Sequence, residues 1–410
     1  MEICIVGAGP GGAAAALKLS YLGIPSVLID KQVFPRDKVC GDALSGKVIT
    51  LLNRLDPAIM QRFAQIPRQP VWGIRFIAPN RKVIDLPFKV NYDPAAEPAP
   101  GFVARRMDFD NFLISEVRRR DNIRLMEGVE VGEMQRIEEG YRIKDKNGAT
   151  LAETPLLIVA NGAHSQFARK QAGMKKELKH YAAAVRAYYE NVSGFHPDGF
   201  IELHFLEDII PGYFWIFPLP DGGANVGLGM RADFVKKKGL SLRKKMEEII
   251  HSHPAIKGRF ARARRCGEIE GYGLPLGSSH QRISGEHYML VGDAGHLIDP
   301  LSGEGIGNAM YSGFIAADQA AACLSANDFS AETMLAYDKR VDRVLGSEFR
   351  ISYRLQKMLS HKRLAIWMAN LIHKNRPLIE FMTEMYNDLS ARKKLLNPLF
   401  WIKLLGGGKR

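Results

Sequence analysis

The first thirty residues, MEICIVGAGPGGAAAALKLSYLGIPSVLID, predict one complete structural unit and constrain the fold more than any other stretch. The continuous apolar run over residues 3–6 is typical of a buried parallel strand. Residues 11–21 predict a small-residue helix, and residues 26–29 predict a second strand. Three glycines fill the first turn and an acid follows the second strand, namely Gly7, Gly9, Gly12 and Asp30. This order predicts a Rossmann-like βαβ unit.

The glycine turn predicts a binding site for a dinucleotide. Glycine at these positions permits a tight turn, close approach of backbone N–H groups to a pyrophosphate and close packing of helix on strand. The N-terminus of the helix favours an anion, and a carboxylate after the second strand suits the hydroxyls of a ribose. The residues expected at the dinucleotide in this unit are Gly7, Gly9, Pro10, Gly12, Asp30 and Lys31.

Length and composition limit the class of protein. A chain of 410 residues is long for one domain, so two closely joined domains are expected. The net charge of +13 suits nucleic acid, an anionic membrane surface or acidic substrates. No nucleic-acid-binding motif accompanies this charge, so nucleic acid is not a predicted partner. No apolar run reaches membrane-spanning length and no signal peptide is recognised. The sequence therefore predicts a cytoplasmic protein, soluble or peripheral on the inner face of a membrane.

The four cysteines are scattered along the chain. They show neither CxxC nor Cys/His spacing, so no metal site and no disulfide framework is predicted. This pattern favours a reducing compartment.

The pattern of apolar residues changes along the chain and predicts an α/β fold whose cofactor domain is discontinuous. A buried strand over residues 155–160 returns the chain to the first sheet, and residues 287–291 predict another strand of it. Between them, aromatic-rich runs predict a broad antiparallel sheet, a natural substrate wall. The predicted segments are 1–70, 102–178 and 284–335 for the cofactor domain, 71–101 and 179–283 for the substrate domain, and 336–410 for a helical C-terminal region.

Three further motifs follow the opening unit. Residues 106–110 read RMDFD, residues 160–165 read ANGAHS, and residues 291–307 read VGDAGHLIDPLSGEGIG. Together with the glycine turn they resemble the FAD-dependent superfamily of aromatic hydroxylases, and within it the geranylgeranyl reductase family. The resemblance implies FAD as the cofactor. The additional cofactor-binding residues that it implies are Arg106, Asn161, Gly162, Asp293, Gly303, Gly305 and Ile306.

The resemblance also implies a place for each motif at the cofactor. Arg106 approaches the diphosphate side, Asp293 the ribityl chain, and the backbone of residues 303–307 the isoalloxazine. Carboxylates suit the hydroxyls of both halves of FAD, and helix N-termini supply N–H donors. Asn161 stands where the superfamily has an aspartate, so it keeps an acceptor but loses the charge.

Two motifs favour the reductase family within the superfamily. Residues 35–46, PRDKVCGDALSG, resemble its PRxKxCG loop, which the resemblance places beside the flavin. Cys40 and Gly41 of this loop are therefore the candidate catalytic residues and are also expected at the cofactor. Lys38 and Arg36 nearby predict a lowered pKa for Cys40 and a part in proton transfer during double-bond reduction. A small buried filler is the alternative for this cysteine.

Residues 211–222, PGYFWIFPLPDG, resemble the YxWxFP motif of the same family. Alternation on a strand places Tyr213, Trp215 and Phe217 on one face, where they are the candidate substrate-binding residues for an isoprenoid chain. Ordinary sheet core is an equally open interpretation of these aromatics.

The resemblance implies a reductase that saturates C=C bonds of a prenyl, geranylgeranyl-type lipid by hydride transfer from reduced flavin. A flavin monooxygenase stays open, as does a halogenase, although Tyr213 and Phe217 depart from the WxWxIP motif of halogenases. A third alternative is a protein that binds flavin and lipid without turnover. No second GxGxxG is present, so the external reductant is NAD(P)H or another electron donor.

The segment 364–410 interleaves apolar and aromatic residues with lysine and arginine. Such a pattern suits peripheral contact with an anionic membrane. Helices packed on the substrate domain, with solvated basic faces, explain it equally well.

Overall fold

The computed structural model describes residues 2–387, and in that part of the chain nineteen β-strands are assigned. In chain order they are β1 (Ile3–Val6), β2 (Ser26–Ile29), β3 (Ala43–Leu44), β4 (Gln69–Val71), β5 (Gly73–Ile77), β6 (Val83–Pro87), β7 (Gly101–Val103), β8 (Ile123–Met126), β9 (Val131–Ile137), β10 (Gly140–Asp145), β11 (Thr150–Thr154), β12 (Leu157–Val159), β13 (Tyr181–Glu190), β14 (Ile201–His204), β15 (Gly212–Pro218), β16 (Ala224–Arg231), β17 (Arg264–Pro275), β18 (Ser284–Gly285) and β19 (Tyr288–Leu290).

Twelve α-helices accompany the strands within residues 2–387. They are α1 (Pro10–Tyr21), α2 (Gly46–Leu55), α3 (Pro57–Phe63), α4 (Arg106–Arg118), α5 (Gln166–Lys170), α6 (Ala232–Lys238), α7 (Leu242–Ser252), α8 (Ile306–Ala326), α9 (Ala331–Val341), α10 (Ser347–Leu359), α11 (Lys362–Ile372) and α12 (Arg376–Asn387).

A six-stranded sheet in the order β18-β19-β12-β1-β2-β8 contains the opening βαβ unit. All neighbouring pairs from β19 to β8 are parallel, and β18 is antiparallel to β19. The residues of β1, β2 and β12 are buried throughout, as their unbroken apolar runs require. Because the carboxyl ends of parallel strands share one edge, the sheet brings Gly7, Asp30 and Asn161 to the same edge. The predicted parallel α/β fold is confirmed.

Helices α1 and α8 approach so closely that only glycine fits between them. A Cβ on Gly313 would lie 2.3 Å from the carbonyl oxygen of Gly11, and a Cβ on Gly11 would lie 3.1 Å from the carbonyl oxygen of Ala309. The backbones of the two helices are therefore in direct contact. This contact fixes the start of α8 relative to the glycine turn that precedes α1.

A seven-stranded sheet in the order β17-β13-β16-β15-β14-β5-β6 forms the second layer. Its strands are antiparallel except for β14 and β5, which are parallel. Alternate residues of β15 pack into different clusters: Phe214 lies with Met246 of α7, whereas Trp215 and Phe217 lie with Val103 of the small sheet β3-β7-β4. The strands come from the two segments predicted for the substrate domain, whose boundaries stay a prediction.

Helix α4, a hairpin turn and the C-terminal helices complete the fold. Helix α4 begins at Arg106, so the RMDFD motif lies at its start. A hairpin turn at Asn147 and Gly148 joins β10 to β11, with Gly148 at φ 87°. Helices α9 to α12 follow the sheets, as predicted, but residues 388–410 of the basic C-terminal segment lie outside the described residues. Within 2–387, each helix is too short or too polar to cross a bilayer.

Candidate functional site

A cavity of about 1130 Å³ extends from the edge of the six-stranded sheet to the seven-stranded sheet. This volume exceeds the range of roughly 300–1000 Å³ that drug-sized ligands occupy, so a large cofactor and part of a substrate fit together. The predicted site residues that line the cavity are Gly7, Gly9, Pro10, Asp30, Lys31, Cys40, Gly41, Arg106, Asn161, Gly162, Tyr213, Trp215, Phe217, Asp293, Gly303, Gly305 and Ile306. Gly12 alone among the predicted site residues does not line it, because it packs against Gly7 and Ala160.

Two glycines of the glycine turn have no room for a side chain, whereas the third faces open space. A Cβ on Gly12 would lie 1.8 Å from the carbonyl oxygen of Gly7. Gly7 itself has φ 104°, and its Cβ would meet the carbonyl oxygen of Ala160 at 2.4 Å. A Cβ on Gly9 would meet no protein atom closer than Nη2 of Arg36, at 3.9 Å. The open space at Gly9 and the start of α1 fit a diphosphate.

The carboxylate of Asp30 is fixed by backbone groups at the edge of the cavity. Its Oδ2 accepts a hydrogen bond from the N–H of Ala8 at 2.6 Å, and its Oδ1 accepts one from the N–H of Gln32 at 2.8 Å. Each oxygen keeps a further lone pair for a hydroxyl group. Lys31 beside it is exposed. This end of the cavity therefore fits the ribose of a dinucleotide.

Arg106 lies in a buried cluster of two arginines and one carboxylate. Its Nε and Nη2 donate to Oδ1 and Oδ2 of Asp110 at 2.7 and 2.6 Å, and only 2% of Arg106 is exposed. Burial is the largest influence on the pKa of Arg106 and lowers it, but the charge and hydrogen bonds of Asp110, together with Cys40, outweigh burial, so the pKa is raised. Arg36 contacts the same carboxylate and also faces Gly9. The sequence did not identify Arg36 as a site residue, because its partner lies 74 positions further along the chain.

The loop that precedes α8 is held from two sides. Oδ1 of Asp299 accepts from the N–H of Ser302 at 2.8 Å, and the hydroxyl of Tyr213 donates to the carbonyl oxygen of Ser302 at 2.7 Å. The next residue, Gly303, has φ 74°. Tyr213 thus connects the aromatic strand β15 to the loop that was predicted to lie near the isoalloxazine.

The thiol of Cys40 differs from its prediction. Burial raises its pKa, although Arg106 and Lys38 act in the opposite direction, so the predicted lowering is wrong. The two cations on which the prediction of a low pKa rested are paired with carboxylates instead. Nζ of Lys38 lies 3.5 Å from Oδ2 of Asp293, and Arg36 contacts Asp110. Cys40 is therefore a neutral thiol at neutral pH.

Asn225 organises the loop that contains Cys40. Its Nδ2 donates to the carbonyl oxygen of Cys40 and to Oδ2 of Asp42, each at 2.8 Å, and its Oδ1 accepts from Nε1 of Trp215 at 2.9 Å. Tyr188 donates to the same oxygen of Asp42 at 2.7 Å. Sequence reasoning missed Asp42, Tyr188 and Asn225, and the one signal was an asparagine inside the apolar run ANVGLGM.

The three predicted aromatic residues of β15 lie side by side on one face of the strand. The ring centroids of Tyr213 and Trp215, and of Trp215 and Phe217, are each 6.2 Å apart. Gly41 packs on this row, since its Cβ would lie 3.1 Å from Cε2 of Phe217. Gly227 on the neighbouring strand leaves room for the indole, because a Cβ there would lie 2.0 Å from Cζ2 of Trp215.

Comparison with known proteins agrees with this geometry. Residues 1–197 match the FAD binding domain family. The fold and the site define an FAD-dependent oxidoreductase. Among its relatives is the digeranylgeranylglycerophospholipid reductase of Thermoplasma volcanium, 28% identical over 344 residues that cover 83% of each chain. The chain is similar to reductases of the geranylgeranyl reductase family of FAD-dependent oxidoreductases.

Other relatives cover much of the chain. A menaquinone reductase of Mycolicibacterium smegmatis is 29% identical over 324 residues, which cover 77% of this chain and 75% of that protein. A solved structure, a geranylgeranyl bacteriochlorophyll reductase-like protein of Thermoplasma acidophilum, superposes with a TM-score of 0.78 at 23% identity over 91% of both chains. The flavin-dependent halogenase CmlS has a TM-score of 0.73 at 20% identity, over 93% of this chain and 72% of its own. The last two comparisons show a shared fold.

Proposed function

We propose that this protein reduces C=C bonds in the prenyl chain of a lipid. The observation that carries the proposal is the continuity of the cavity, which joins the FAD-type glycine turn to the apolar row of Tyr213, Trp215 and Phe217. An isoprenoid chain offers only apolar surface and double bonds, so an aromatic wall is the chemistry that binds it. Relatives named digeranylgeranylglycerophospholipid reductase and menaquinone reductase support a substrate with a prenyl chain.

FAD, when bound and reduced, supplies hydride to a carbon atom. The proposed task of the protein is to hold an unactivated alkene in line with that hydride, to exclude water and to provide a proton for the other carbon. Trp215 and Phe217, 7% and 8% exposed, form the dry wall that this task needs. We assign contact with the alkene to Cys40 and Gly41, since Gly41 packs on Phe217 and the thiol is neutral.

The cofactor-binding residues are proposed from the same geometry. Gly9 and the N-terminus of α1 would hold the diphosphate, Asp30 a ribose, and Asp293 with the loop at Gly303 the flavin half. Arg36 joins this set, because its guanidinium faces the open space at Gly9. Asn161 would contribute an amide in place of a carboxylate.

NAD(P)H is the proposed external reductant, with another electron donor as the alternative. Stopped-flow bleaching of the flavin by NADPH, NADH and dithionite separates these cases. Bleaching by dithionite alone would require a different physiological donor.

Peripheral contact with a membrane surface is proposed for helices α10 and α11. Trp367 is 53% exposed and Met358 is 41% exposed, and basic residues lie beside them on the same helices. Exposed aromatic and basic residues together favour an anionic interface. Co-sedimentation with anionic vesicles tests this: Trp367→Ser should reduce binding, whereas Leu22→Ser, which changes an apolar residue of 41% exposure after α1, should not.

The deciding experiment uses purified holoprotein, reduced without oxygen and incubated with a digeranylgeranyl phospholipid or with menaquinone. Mass spectrometry should show a gain of two hydrogen atoms for each saturated bond. A product that forms only with oxygen would favour the monooxygenase, and dependence on halide would favour the halogenase, which the shared fold with CmlS keeps as the second candidate. Lipid binding without any product would favour the third alternative, a protein that binds flavin and lipid without turnover.

A further inference from the structure

Asp42 is a buried carboxyl group with one occupied and one free oxygen. The residue is 0% exposed and has a left-handed backbone with φ 66°. Its Oδ2 accepts hydrogen bonds from the hydroxyl of Tyr188 at 2.7 Å and from Nδ2 of Asn225 at 2.8 Å. Its Oδ1 is buried and has no hydrogen-bond partner among the residues that the structure describes. A buried oxygen without a partner costs free energy unless it carries a proton or meets a ligand.

The arginines closest to Asp42 are already paired with other carboxylates. Nη2 of Arg186 lies 2.9 Å from Oδ2 of Asp37, and its Nη1 lies 3.2 Å from Oε2 of Glu270. Arg106 is paired with Asp110. No ion pair to Asp42 is present within residues 2–387. Burial raises the pKa of Asp42 to about 6, even though its two hydrogen bonds lower it. The carboxyl group therefore changes protonation close to neutral pH.

Asp42 lies where the reaction would need an acid. It lines the cavity and follows Cys40 and Gly41 directly. The amide of Asn225 links the carboxyl group, the backbone of Cys40 and the indole of Trp215 in one network. The proton of the carboxyl group would sit on Oδ1, because Oδ2 already accepts two donors.

We infer that Asp42 is the general acid of the reaction, an inference that rests on the proposed alkene reduction. Bound, reduced FAD would supply hydride for one C–H bond, and the π electrons of the double bond would take the proton of Oδ1 to form the other. The O–H bond breaks, and Asp42 is left as a carboxylate. Tyr188 and Asn225 are positioning residues, whose donated hydrogen bonds stabilise that carboxylate until solvent reprotonates it.

A single-turnover experiment with pre-reduced holoenzyme tests this role. Asp42→Asn should bind FAD with an unchanged absorbance spectrum but lower the rate constant of alkene saturation about 10²- to 10⁴-fold, as loss of a general acid does. Asp198→Asn is the matched control, because Asp198 accepts a hydrogen bond of 2.6 Å from Tyr92 in the same way but does not line the cavity. Its rate constant should stay at the wild-type value.

The pH profile separates catalysis from a structural role. The rate constant of the wild type should fall as pH rises through about 6, because the carboxyl group of Asp42 then loses its proton. Tyr188→Phe removes a donor that favours the carboxylate, so the midpoint should move to higher pH. The titratable and charged groups around the carboxyl group of Asp42 are Arg186, Arg106 and Cys40. These groups are the same in the wild type and in Tyr188→Phe.

Infrared difference spectra of the holoenzyme, recorded on either side of pH 6, give a readout without turnover. A protonated-carboxyl C=O band should be present in the wild type and absent in Asp42→Asn. Wild-type enzyme that forms no saturated product, yet shows this band, would remove the proposed function and leave the titration of Asp42 intact. Wild-type turnover with an unchanged rate constant in Asp42→Asn would overturn the inference.

Discussion

Nη1 of Arg36 lies 2.6 Å from Oδ2 of Asp110, the carboxylate that also holds the buried Arg106. One carboxylate thus anchors the loop beside the glycine turn to helix α4. Asp110→Asn should lower the free energy of unfolding by about 3–5 kcal/mol, because a fully buried arginine loses its counter-charge. Urea denaturation measures this.

The control for that prediction is Asp85→Asn, which breaks the partly exposed pair with Arg75. Exposed pairs contribute about 0–1 kcal/mol, so this variant should unfold close to the wild type. Equal losses in the two variants would show that Asp110 is not a buried anchor.

The glycine turn predicts opposite outcomes for two substitutions that lie three positions apart. Gly9→Ala should fold with wild-type stability, because its Cβ meets no protein atom closer than 3.9 Å, but it should bind FAD at least about tenfold more weakly if a diphosphate occupies that space. Gly12→Ala should fail to fold, since its Cβ would overlap the carbonyl oxygen of Gly7. Thermal unfolding of the apoproteins and fluorescence titration with FAD check both. Unchanged FAD affinity in Gly9→Ala would place the diphosphate elsewhere.

Cys40→Ala should retain FAD yet slow alkene saturation strongly, because the loop loses a side chain proposed to contact the substrate. Its thiol pKa is raised, so the loss should not depend on pH across the neutral range. Single-turnover assays across that range test the variant. Cys323→Ala, which alters a buried cysteine of α8 that does not line the cavity, serves as the control. Normal turnover in Cys40→Ala would remove this residue from the reaction.

Local chemistry explains which parts of the site could be predicted from the sequence. Strand, glycine turn and helix are encoded within thirty consecutive residues, so the opening unit and the positions of Gly9 and Asp30 follow from the sequence. The network of Asp42 with Asn225 joins residues 183 positions apart and exists only after the loop docks on the seven-stranded sheet. The pKa of Cys40 was predicted wrongly for the same reason, because tertiary contacts bind its cationic neighbours and bury the thiol.

Gly227→Ala should disturb the aromatic row without touching the cofactor end. Its Cβ would lie 2.0 Å from Cζ2 of Trp215, so the indole has to move and its hydrogen bond to Asn225 breaks. We expect a loss of about 1–3 kcal/mol in stability and weaker binding of prenyl lipid, with unchanged FAD affinity. Gly271→Ala on β17, where a Cβ would find ordinary contacts at 3.7 Å, is the control. Unchanged lipid binding in Gly227→Ala would show that the substrate does not depend on the position of Trp215.

His296 gives a pH dependence of stability whose sign follows from burial. Burial lowers its pKa to about 4, with Asp293 acting partly against the shift. The unfolded chain binds the proton near pH 6.5, so folding is opposed as pH falls from about 6.5 to about 4, by on the order of 3 kcal/mol. His296→Asn tolerates the left-handed backbone, φ 56°, and should remove this part of the loss. Urea midpoints measured across that pH range for the wild type, His296→Asn and the exposed His251→Asn test it, and parallel curves for all three proteins would contradict a buried neutral histidine at this position.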